Sequence, residues 1–322
     1  MLPFPLVYHD AYDLHLGEHV FPSQKYRWIR ERLLIDRLAA PEDFVTPEPA
    51  SDEDILLVHE PGWVERLKHG TLGYQELVRL EIPYSRKTME AFWLAAGGSL
   101  LAARLALERG VGFNLGGGFH HAFPGHGEGF CAVNDIAVAV RRVQRDGLVR
   151  RAMVVDCDVH HGNGTATIFA GDPSVFTLSI HQFNNYPAVK PPSSLDIHLP
   201  DGVGDEEYLH RLADGYRTAL TVFQPELLIY AAGADPYCED QLGGLGLTFD
   251  GLQERDRLVL WTALQRGIPV AVVLAGGYAE NIFDTVQIHI NTVRAARAAL
   301  ERAAWRGPAT AGQPERPAAR LP

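Results

Sequence analysis

The stretch "VVDCDVHHGNGT", residues 154–165, decides the fold assignment, because an apolar run ends there in two aspartates and two histidines within six positions. The apolar part has the length and β-branched content of a buried strand, and the glycines that follow indicate a tight turn. Alternate residues of an extended segment point to the same side. The pattern therefore predicts a strand whose carboxyl end carries Asp156, Asp158 and His160 on one face.

Similar apolar runs recur along the chain, separated by segments with helical periodicity. The strand-like runs are PLVYH (5–9), VGFNL (111–115), RAMVVDCDV (151–159), SVFTLSIH (174–181), ELLIYAAG (226–233) and PVAVVLAGG (269–277). The helical patterns cover about 24–38, 86–109, 132–146, 205–223, 249–266 and 281–303. Apolar strands that alternate with helices predict an α/β fold with a parallel sheet covered on both faces.

The composition is that of a globular protein: 46% of the 322 residues are hydrophobic and 21% are charged. No interior linker divides the chain, so we expect one domain over residues 1–305. A disordered tail is expected at 306–322, because this segment is rich in Pro, Ala and Gly and has no periodicity.

Charge and cysteine content indicate which partners and which cellular compartment to expect for the protein. The net charge of −11 argues against nucleic-acid or anionic-membrane partners and favours cationic substrates. The three cysteines, Cys131, Cys157 and Cys238, form no CxxC pair, which favours a reducing compartment. The first residues do not resemble a signal peptide, and we expect no apolar stretch long enough to span a membrane. A cytoplasmic location is therefore expected, whereas the sequence does not predict the oligomeric state.

Glycine-rich or polar residues follow five of the predicted strands. They are residues 116–121, 156–161, 179–181, 233–235 and 276–278. In open α/β sheets, ligands bind beyond the carboxyl ends of the strands. We therefore expect these segments, which are distant in sequence, to form one site.

The residues at the carboxyl ends of the predicted strands indicate a divalent metal as the first ligand. Asp158 and His160 form an oxygen–nitrogen pair that could bind the metal or, alternatively, cap the next helix. Asp235, in AAGADPY (231–237), is either a third ligand or a helix N-cap. Two carboxylates and one imidazole leave a coordination position open, as catalytic zinc requires, and ferrous iron accepts the same donors.

Two other segments carry side chains suited to proton transfer. In GGGFHHAFPGHGEGF (116–130), His120 and His121 are either further metal ligands or a general acid–base pair. His126 and Glu128 of the same loop are expected to be solvated. In LAGGYAEN (274–281), Tyr278 either packs on the surface or donates a hydrogen bond to a developing oxyanion.

Taken together, these motifs resemble the histone deacetylase family of the arginase–deacetylase superfamily. The similarity covers about residues 5–300 and rests on GGGFHHA, DCDVHHGNGT, SIH, GADPY and AGGY in that order. The stretches YDLHLGEHVFPSQKYRWIRERL (12–33) and HGEGFCAVNDIAVA (126–139) are closest to the bacterial, class IV-like branch, which includes acetoin-utilisation-type proteins. The resemblance implies a three-layer α/β/α fold with a mainly parallel sheet of about eight strands.

The resemblance also implies a role for each motif residue. The implied zinc ligands are Asp158, His160 and Asp235. The implied acid–base residues are His120 and His121, with Asp156 orienting the first of them. Tyr278 is implied to polarise the scissile carbonyl. Asn163 stands where some branches carry an aspartate, and we expect this neutral amide to leave His121 as the more readily neutral histidine.

Substrate and structural cation positions also follow from the resemblance. The implied walls of an acyl-lysine tunnel are Gly129, Phe130, Tyr186 and Leu242, and Glu81 is a candidate acid at its rim. One structural potassium site would use Asp156, Asp158, His160, Ser179 and Ile180. A second would use Phe169, Asp172, Val175 and Leu195, mostly through backbone carbonyls.

The implied function is a zinc-dependent amidohydrolase that removes acetyl or other acyl groups from lysine side chains through a metal-activated water. Its substrate would be an acyl-lysine protein or peptide, or a small acylated amine. One alternative is acetylpolyamine hydrolysis, although Leu242 stands where polyamine-specific relatives carry a glutamate. Others are a non-catalytic acyl-lysine binding module and an arginase-like dimetal ureohydrolase, which would need further bridging aspartates.

Overall fold

The computed structural model describes residues 1–303 and residue 305. The strands in this part of the chain are β1 (Leu6–Val7), β2 (Phe44–Val45), β3 (Val111–Asn114), β4 (Ala152–Asp156), β5 (Val175–Gln182), β6 (Leu195–Leu199), β7 (Leu227–Ala231) and β8 (Val270–Val273). They form one sheet in the order β2-β1-β3-β8-β7-β4-β5-β6, and every neighbouring pair is parallel. This confirms the predicted parallel sheet of about eight strands.

Helices cover both faces of this sheet. They are α1 (Lys25–Ile35), α2 (Asp52–Ile55), α3 (Pro61–His69), α4 (Tyr74–Leu80), α5 (Arg86–Arg109), α6 (Asp135–Arg145), α7 (Asn163–Ile168), α8 (Asp205–Phe223), α9 (Phe249–Leu264) and α10 (Ile282–Ala303), with short 3-10 turns at Asp10–Tyr12 and Pro41–Asp43. Helices α5 and α6 pack together on one face, and α1, α8, α9 and α10 pack on the other. The three-layer α/β/α arrangement implied by the resemblance is therefore present.

The strand β4 shows why the central strands are apolar throughout. Met153 and Val155 enter the core beneath α8, α9 and α10, whereas Val154 enters the core beneath α5 and α6. Successive strand residues point to opposite faces, so a strand covered on both faces has no solvent-facing positions. This explains the continuous apolar run that identified β4 in the sequence.

Two strands and four helices lack a sequence signal strong enough to predict them. The strand β2 has two residues, and β6 is a half-buried edge strand whose sequence includes Asp196 and His198. The helices α2, α3, α4 and α7 have four, nine, seven and six residues, too few for clear periodicity. The sequence does not predict these elements because they are short or lie at the edge of the sheet, not because their chemistry is unusual.

Helix α5 corrects the expectation that no apolar stretch is long enough to span a membrane. Its 24 residues pass that test by length and composition. However, 67% of the apolar window is buried within the fold, where α5 packs against β3, β8 and α6. The apolar residues of α5 therefore contribute to the hydrophobic core. The tail predicted at 306–322 lies outside the described residues.

Candidate metal centre and active site

The predicted polar segments meet at one edge of the sheet. They follow β3, β4, β7 and β8, or complete β5, and these five strands are neighbours in the order β3-β8-β7-β4-β5. Because all the strands are parallel, their carboxyl ends lie on the same side. Residues from positions 116 to 278 therefore converge, as the sequence predicts.

Three of these side chains form a buried group that fits a divalent cation. The ligand atoms of Asp158, His160 and Asp235 all lie within 4.8 Å of one another. Asp158 Oδ2 accepts a hydrogen bond of 2.7 Å from the Gly276 backbone, and Asp235 Oδ1 accepts one of 2.8 Å from Val159. Asp235 Oδ2 is buried and has no hydrogen-bond partner among the described residues. An acceptor left unsatisfied beside a second carboxylate and an imidazole matches the donor set that zinc or ferrous iron prefers.

Electrostatics and space at this group also suit a cation. Burial and the charge of Asp158 raise the pKa of Asp235 to about 7, because two close carboxylates resist ionising together. A divalent ion removes this repulsion. A Cβ on Gly276 would lie 2.0 Å from Asp235 Oδ2, so the loop after β8 can approach the carboxylates only with glycine at this position.

The two adjacent histidines lie beside the metal group, each with its own partner. His120 Nδ1 donates to Asp156 Oδ2 at 2.6 Å, and His121 Nδ1 donates to Asn163 Oδ1 at 2.7 Å. The two Nε2 atoms are 3.0 Å apart. Neither histidine belongs to the metal group, and Asp156 is occupied with His120. This arrangement fits a pair that exchanges protons better than a pair of metal ligands.

The pKa values of the two histidines move in opposite directions. Burial opposes ionisation of His120, but the charges of Asp156 and Asp158 raise its pKa to about 9. Burial, followed by the charge of His120, lowers the pKa of His121 well below its ordinary value. His121 is thus the more readily neutral of the two, in the direction expected. The hydrogen bond to the neutral Asn163 amide raises the pKa of His121 but does not offset burial and the charge of His120.

Tyr278 lies in the same cavity and is not a surface residue. Its ring is close to those of Phe21, Phe130 and His160, with centroids 5.9, 6.1 and 6.4 Å away. Burial and the charge of Asp158 raise the pKa of Tyr278 well above its ordinary value. The phenol therefore stays protonated and can act as a hydrogen-bond donor.

This cavity is narrow, and its lining contains both apolar side chains and polar groups. It is lined by Phe21, Gly117, Gly118, Phe119, His120, His121, Gly129, Phe130, Cys131, Asp158, Ala275, Gly276 and Tyr278. Gly129 and Phe130 thus lie where the sequence places them. Tyr186 and Leu242 are not in this lining; Tyr186 packs edge-on against the His121 ring at 5.0 Å.

Comparison with known proteins agrees with this geometry. Residues 19–293 match the sequence profile described as "Histone deacetylase domain". The chain belongs to the histone deacetylase family. Histone deacetylase 2 of Arabidopsis thaliana is 32% identical over 289 residues, covering 86% of this chain and 75% of that protein. Acetoin utilization protein AcuC of Bacillus subtilis is 32% identical over 301 residues, covering 84% and 76%. The predicted bacterial, acetoin-type branch is therefore confirmed.

The crystal structure of the HDA15 HD domain has the same fold. It superposes with a TM-score of 0.79 at 24% identity and covers 93% of this chain and 91% of its own. The arginase–deacetylase fold is thus confirmed, and family membership makes this protein a deacetylase-type hydrolase.

The structure of this deacetylase corrects the assignment of Glu128 as a solvated loop residue. Its side chain is 19% exposed, and Oε1 accepts a hydrogen bond of 2.6 Å from Asn163 Nδ2. His126 Nε2 lies 3.7 Å from Glu128 Oε2, and the His126 ring stacks on Phe123. A loop with three glycines among the eight residues 123–130 is typical of an exposed segment, but here it folds back onto the site.

Two buried cations near the site had no distinct sequence signal. Lys25 is fully buried, and its Nζ donates to the carbonyl oxygen of Ala275. Arg255 is also fully buried, pairs with Asp256 and donates to the carbonyl oxygen of Gly233 at 2.6 Å. Both lie in helical patterns where a charged residue is usually solvated, so only long-range contacts reveal them.

Several of the positions implied for potassium lie on the paired strands β4, β5 and β6. Ser179 pairs with Asp156 across β4 and β5, and Leu195 pairs with Leu178 across β5 and β6. The Asp172 carboxylate bonds to Arg141 and Ser174, and its carbonyl oxygen accepts a hydrogen bond of 3.3 Å from the Val175 backbone. The remaining positions of the two implied sites are Asp158, His160 and Ile180, and Phe169 and Val175. Both sites stay predictions.

Glu81 ends helix α4 in the left-handed conformation, with φ of 60°. His19 Nε2 donates to its carbonyl oxygen. Burial and the charge of Glu128 raise the pKa of Glu81, so its carboxylate lies near the site. Its role at the rim stays a prediction.

A second group with metal-ligand spacing is formed by His161, His181 and Asp196. Most of its polar atoms bond to protein groups, although His161 Nδ1 is buried and has no hydrogen-bond partner among the described residues. His161 Nε2 lies 3.1 Å from Asp196, and His181 lies between Ser179 Oγ at 2.9 Å and His198 Nδ1 at 2.8 Å. A hydrogen-bond network accounts for these contacts without a cation.

Proposed function

We propose that this deacetylase hydrolyses the amide of acyl-lysine side chains in proteins or peptides, with zinc as its metal. The observation that carries the proposal is that one narrow cavity is lined by His120, His121, Asp158, Tyr278 and the Phe130 ring. Acid–base groups, a metal ligand and an oxyanion donor thus face one aromatic-walled space, which suits an alkyl chain that ends in an amide.

Asp158, His160 and Asp235 would hold the metal. When bound, the cation supplies Lewis-acid polarisation of the acyl carbonyl and lowers the pKa of water to near neutrality. The donor set accepts zinc and ferrous iron alike, so the choice of zinc follows the family resemblance.

The residues of the chain would divide the proton transfers among them. Tyr278, protonated over the working pH range, donates to the carbonyl oxygen as negative charge develops there. His121 is neutral, and its Nδ1 proton is committed to Asn163, so its Nε2 can accept a proton from the attacking water. His120, whose pKa is raised by Asp156, carries the proton that the leaving amine takes.

Acyl-lysine is preferred over acetylpolyamines because Leu242 offers no carboxylate for a remote ammonium. Leu242 is partly buried, and its carbonyl oxygen accepts from Asn185 Nδ2 at 2.8 Å. The net charge of −11 favours a cationic substrate in either case.

The test measures acetate release by the zinc-loaded protein from an acetyl-lysine peptide, acetylputrescine and acetylspermidine at equal concentrations. The proposal expects the fastest turnover with the peptide and none in His121→Ala. Faster turnover of the polyamines would contradict the preference assigned to Leu242. Absence of turnover with all three and with longer acyl-lysines would contradict hydrolysis and favour acyl-lysine binding without catalysis.

A cytoplasmic location is also part of this proposal. Cys131, Cys157 and Cys238 are free thiols, which agrees with a reducing compartment. Fractionation of the native cells, with detection by antibody, tests it. Recovery of the protein outside the cytoplasm would contradict it.

A further inference from the structure

A chain of hydrogen bonds connects Glu128 to the proposed base. Glu128 Oε1 accepts from Asn163 Nδ2 at 2.6 Å, and Asn163 Oδ1 accepts from His121 Nδ1 at 2.7 Å. Asn163 Oδ1 also accepts from the Gly164 backbone at 3.1 Å. All polar atoms of the Asn163 side chain are therefore committed, and Asn163 is 2% exposed.

The chemistry of these partners allows one arrangement of protons. An amide side chain has an acceptor end and a donor end, whereas an ionised carboxylate only accepts. Glu128 therefore requires the NH2 group of Asn163 to face it, which directs Oδ1 to His121. An acceptor at that position requires the proton of His121 to be on Nδ1, so Nε2, which lies 3.0 Å from His120 Nε2, is the acceptor.

The backbone around Glu128 holds its side chain in this position. Glu128 and Cys131 exchange two backbone hydrogen bonds, of 3.1 and 2.9 Å, around a tight turn. The two residues between them have positive φ, +50° at Gly129 and +68° at Phe130. Such a conformation is costly for phenylalanine and persists where surrounding contacts fix it. The same turn places Phe130 in the cavity wall and Glu128 against Asn163.

The surroundings keep Glu128 ionised. Although burial opposes ionisation, hydrogen bonding to His126, Asn163 and Tyr186 lowers the pKa of Glu128. The other charged group that faces it is Glu81, on the neighbouring helix end. An acceptor-only side chain is thus maintained next to Asn163.

We propose that Glu128 is a positioning residue that acts through Asn163 to fix the tautomer and orientation of His121. The inference rests on the proposed function, because it assigns His121 as the base. It replaces the direct carboxylate–histidine pair of some family branches with a carboxylate one amide further away, so the negative charge is kept while Asn163 stays neutral.

Three variants test the relay through the kinetics of acetyl-lysine hydrolysis. Glu128→Ala removes the acceptor and is expected to lower kcat about 10-fold with little change in KM, as loss of an orienting partner does. Asn163→Asp places two carboxylates in contact and is expected to lower kcat by a similar factor. The double variant Glu128→Gln/Asn163→Asp restores a donor–acceptor pair, since Gln donates to Asp, and should regain about 10-fold over Asn163→Asp alone.

A matched control comes from a glutamate that contacts the same loop from the start of α3. Glu60 is exposed and contacts the loop through Pro124, but it has no hydrogen bond to Asn163. Glu60→Gln should leave kcat and its pH profile unchanged. A wild-type kcat in Glu128→Ala would overturn the proposal, as would failure of the double variant to recover.

A spectroscopic readout separates this inference from the proposed function. In the zinc-loaded protein labelled with ¹⁵N-histidine, His121 should show a protonated Nδ1 and an unprotonated Nε2. Glu128→Ala should move His121 toward a mixture of tautomers. An unchanged His121 spectrum in that variant overturns the inference even if hydrolysis is intact, and a changed spectrum supports it even if no substrate is turned over.

Discussion

Lys25 Nζ donates a hydrogen bond of 2.9 Å to the carbonyl oxygen of Ala275, although 250 residues separate the two in sequence. Ala275 has a positive φ of 53°, and the next residue, Gly276, donates its backbone N–H to Asp158. The first residue of α1 therefore supports the backbone turn that directs an amide at a proposed metal ligand. Lys25 is a structural part of the site although it takes no part in the proposed chemistry.

The buried state of Lys25 predicts a pH dependence of stability. Burial, partly offset by Asp235 and Asp158, lowers its pKa from 10.5 to about 8. Between these two values the unfolded chain binds more protons than the folded one, so this contribution to stability rises with pH. Relative to Lys25→Met, the free energy of unfolding of the wild type should increase from pH 8 to pH 10 by up to about 1.4 kcal/mol per pH unit. Urea unfolding at several pH values measures this, and a difference independent of pH would contradict it.

Tyr278→Phe should lower kcat about 100-fold with KM nearly unchanged, because an oxyanion donor acts mainly in the transition state. The ring contacts with Phe21 and Phe130 do not require the hydroxyl, so the melting temperature should stay close to that of the wild type. Steady-state kinetics and calorimetry on the same preparation check both. Retained kcat would remove Tyr278 from the proposed mechanism.

Chelation should abolish hydrolysis, and stoichiometric zinc should restore it. Asp235→Ala removes one carboxylate of the metal group and should bind far less than one zinc ion per chain. Elemental analysis of dialysed protein gives the stoichiometry independently of activity. Restoration by ferrous iron but not by zinc would correct the metal assignment, and full zinc binding by Asp235→Ala would contradict the ligand set.

Arg255→Met should destabilise the fold by about 3–5 kcal/mol, because it leaves Asp256 as an uncompensated buried charge. It also removes the donor to the Gly233 carbonyl at the end of β7. Arg257→Met is the matched control, since Arg257 is about half exposed and its one ion pair within residues 1–303 is with Glu254. That change should cost under about 0.5 kcal/mol. Denaturant unfolding of the two variants compares them, and similar losses would contradict the role of Arg255.

Sequence reasoning was most successful where chemistry and periodicity agree. The run that ends in Asp156 gave both a central strand and the location of the metal group, because a strand covered on both faces is apolar until it leaves the sheet. Asp235 was ambiguous as a lone aspartate, and only the position of β7 beside β4 brings it to Asp158 and His160. The parallel pairing of the strands brings these separately predicted residues together in one site.

What the sequence did not reveal depends on tertiary contacts. Glu128 looks solvated because its neighbours are glycines, and the turn at Gly129 and Phe130 that redirects it requires positive φ at a phenylalanine. Lys25 looks like an exposed helix residue, because its partner Ala275 is 250 residues away in the sequence. Neither burial is encoded in local composition.

The position of β8 determines when the sheet can be completed during synthesis. β8 is the last strand in the described part of the chain but lies between β3 and β7, so before residues 270–273 are present the sheet consists of two separate halves, β2-β1-β3 and β7-β4-β5-β6. His120 and His121 follow a strand of the first half, whereas Asp158, His160 and Asp235 follow strands of the second. Ribosomes deliver the chain from its amino terminus. A nascent or truncated polypeptide that stops short of β8 thus holds the two histidines and the proposed metal ligands on unjoined pieces, and we expect it to be hydrolytically silent until β8 has been added.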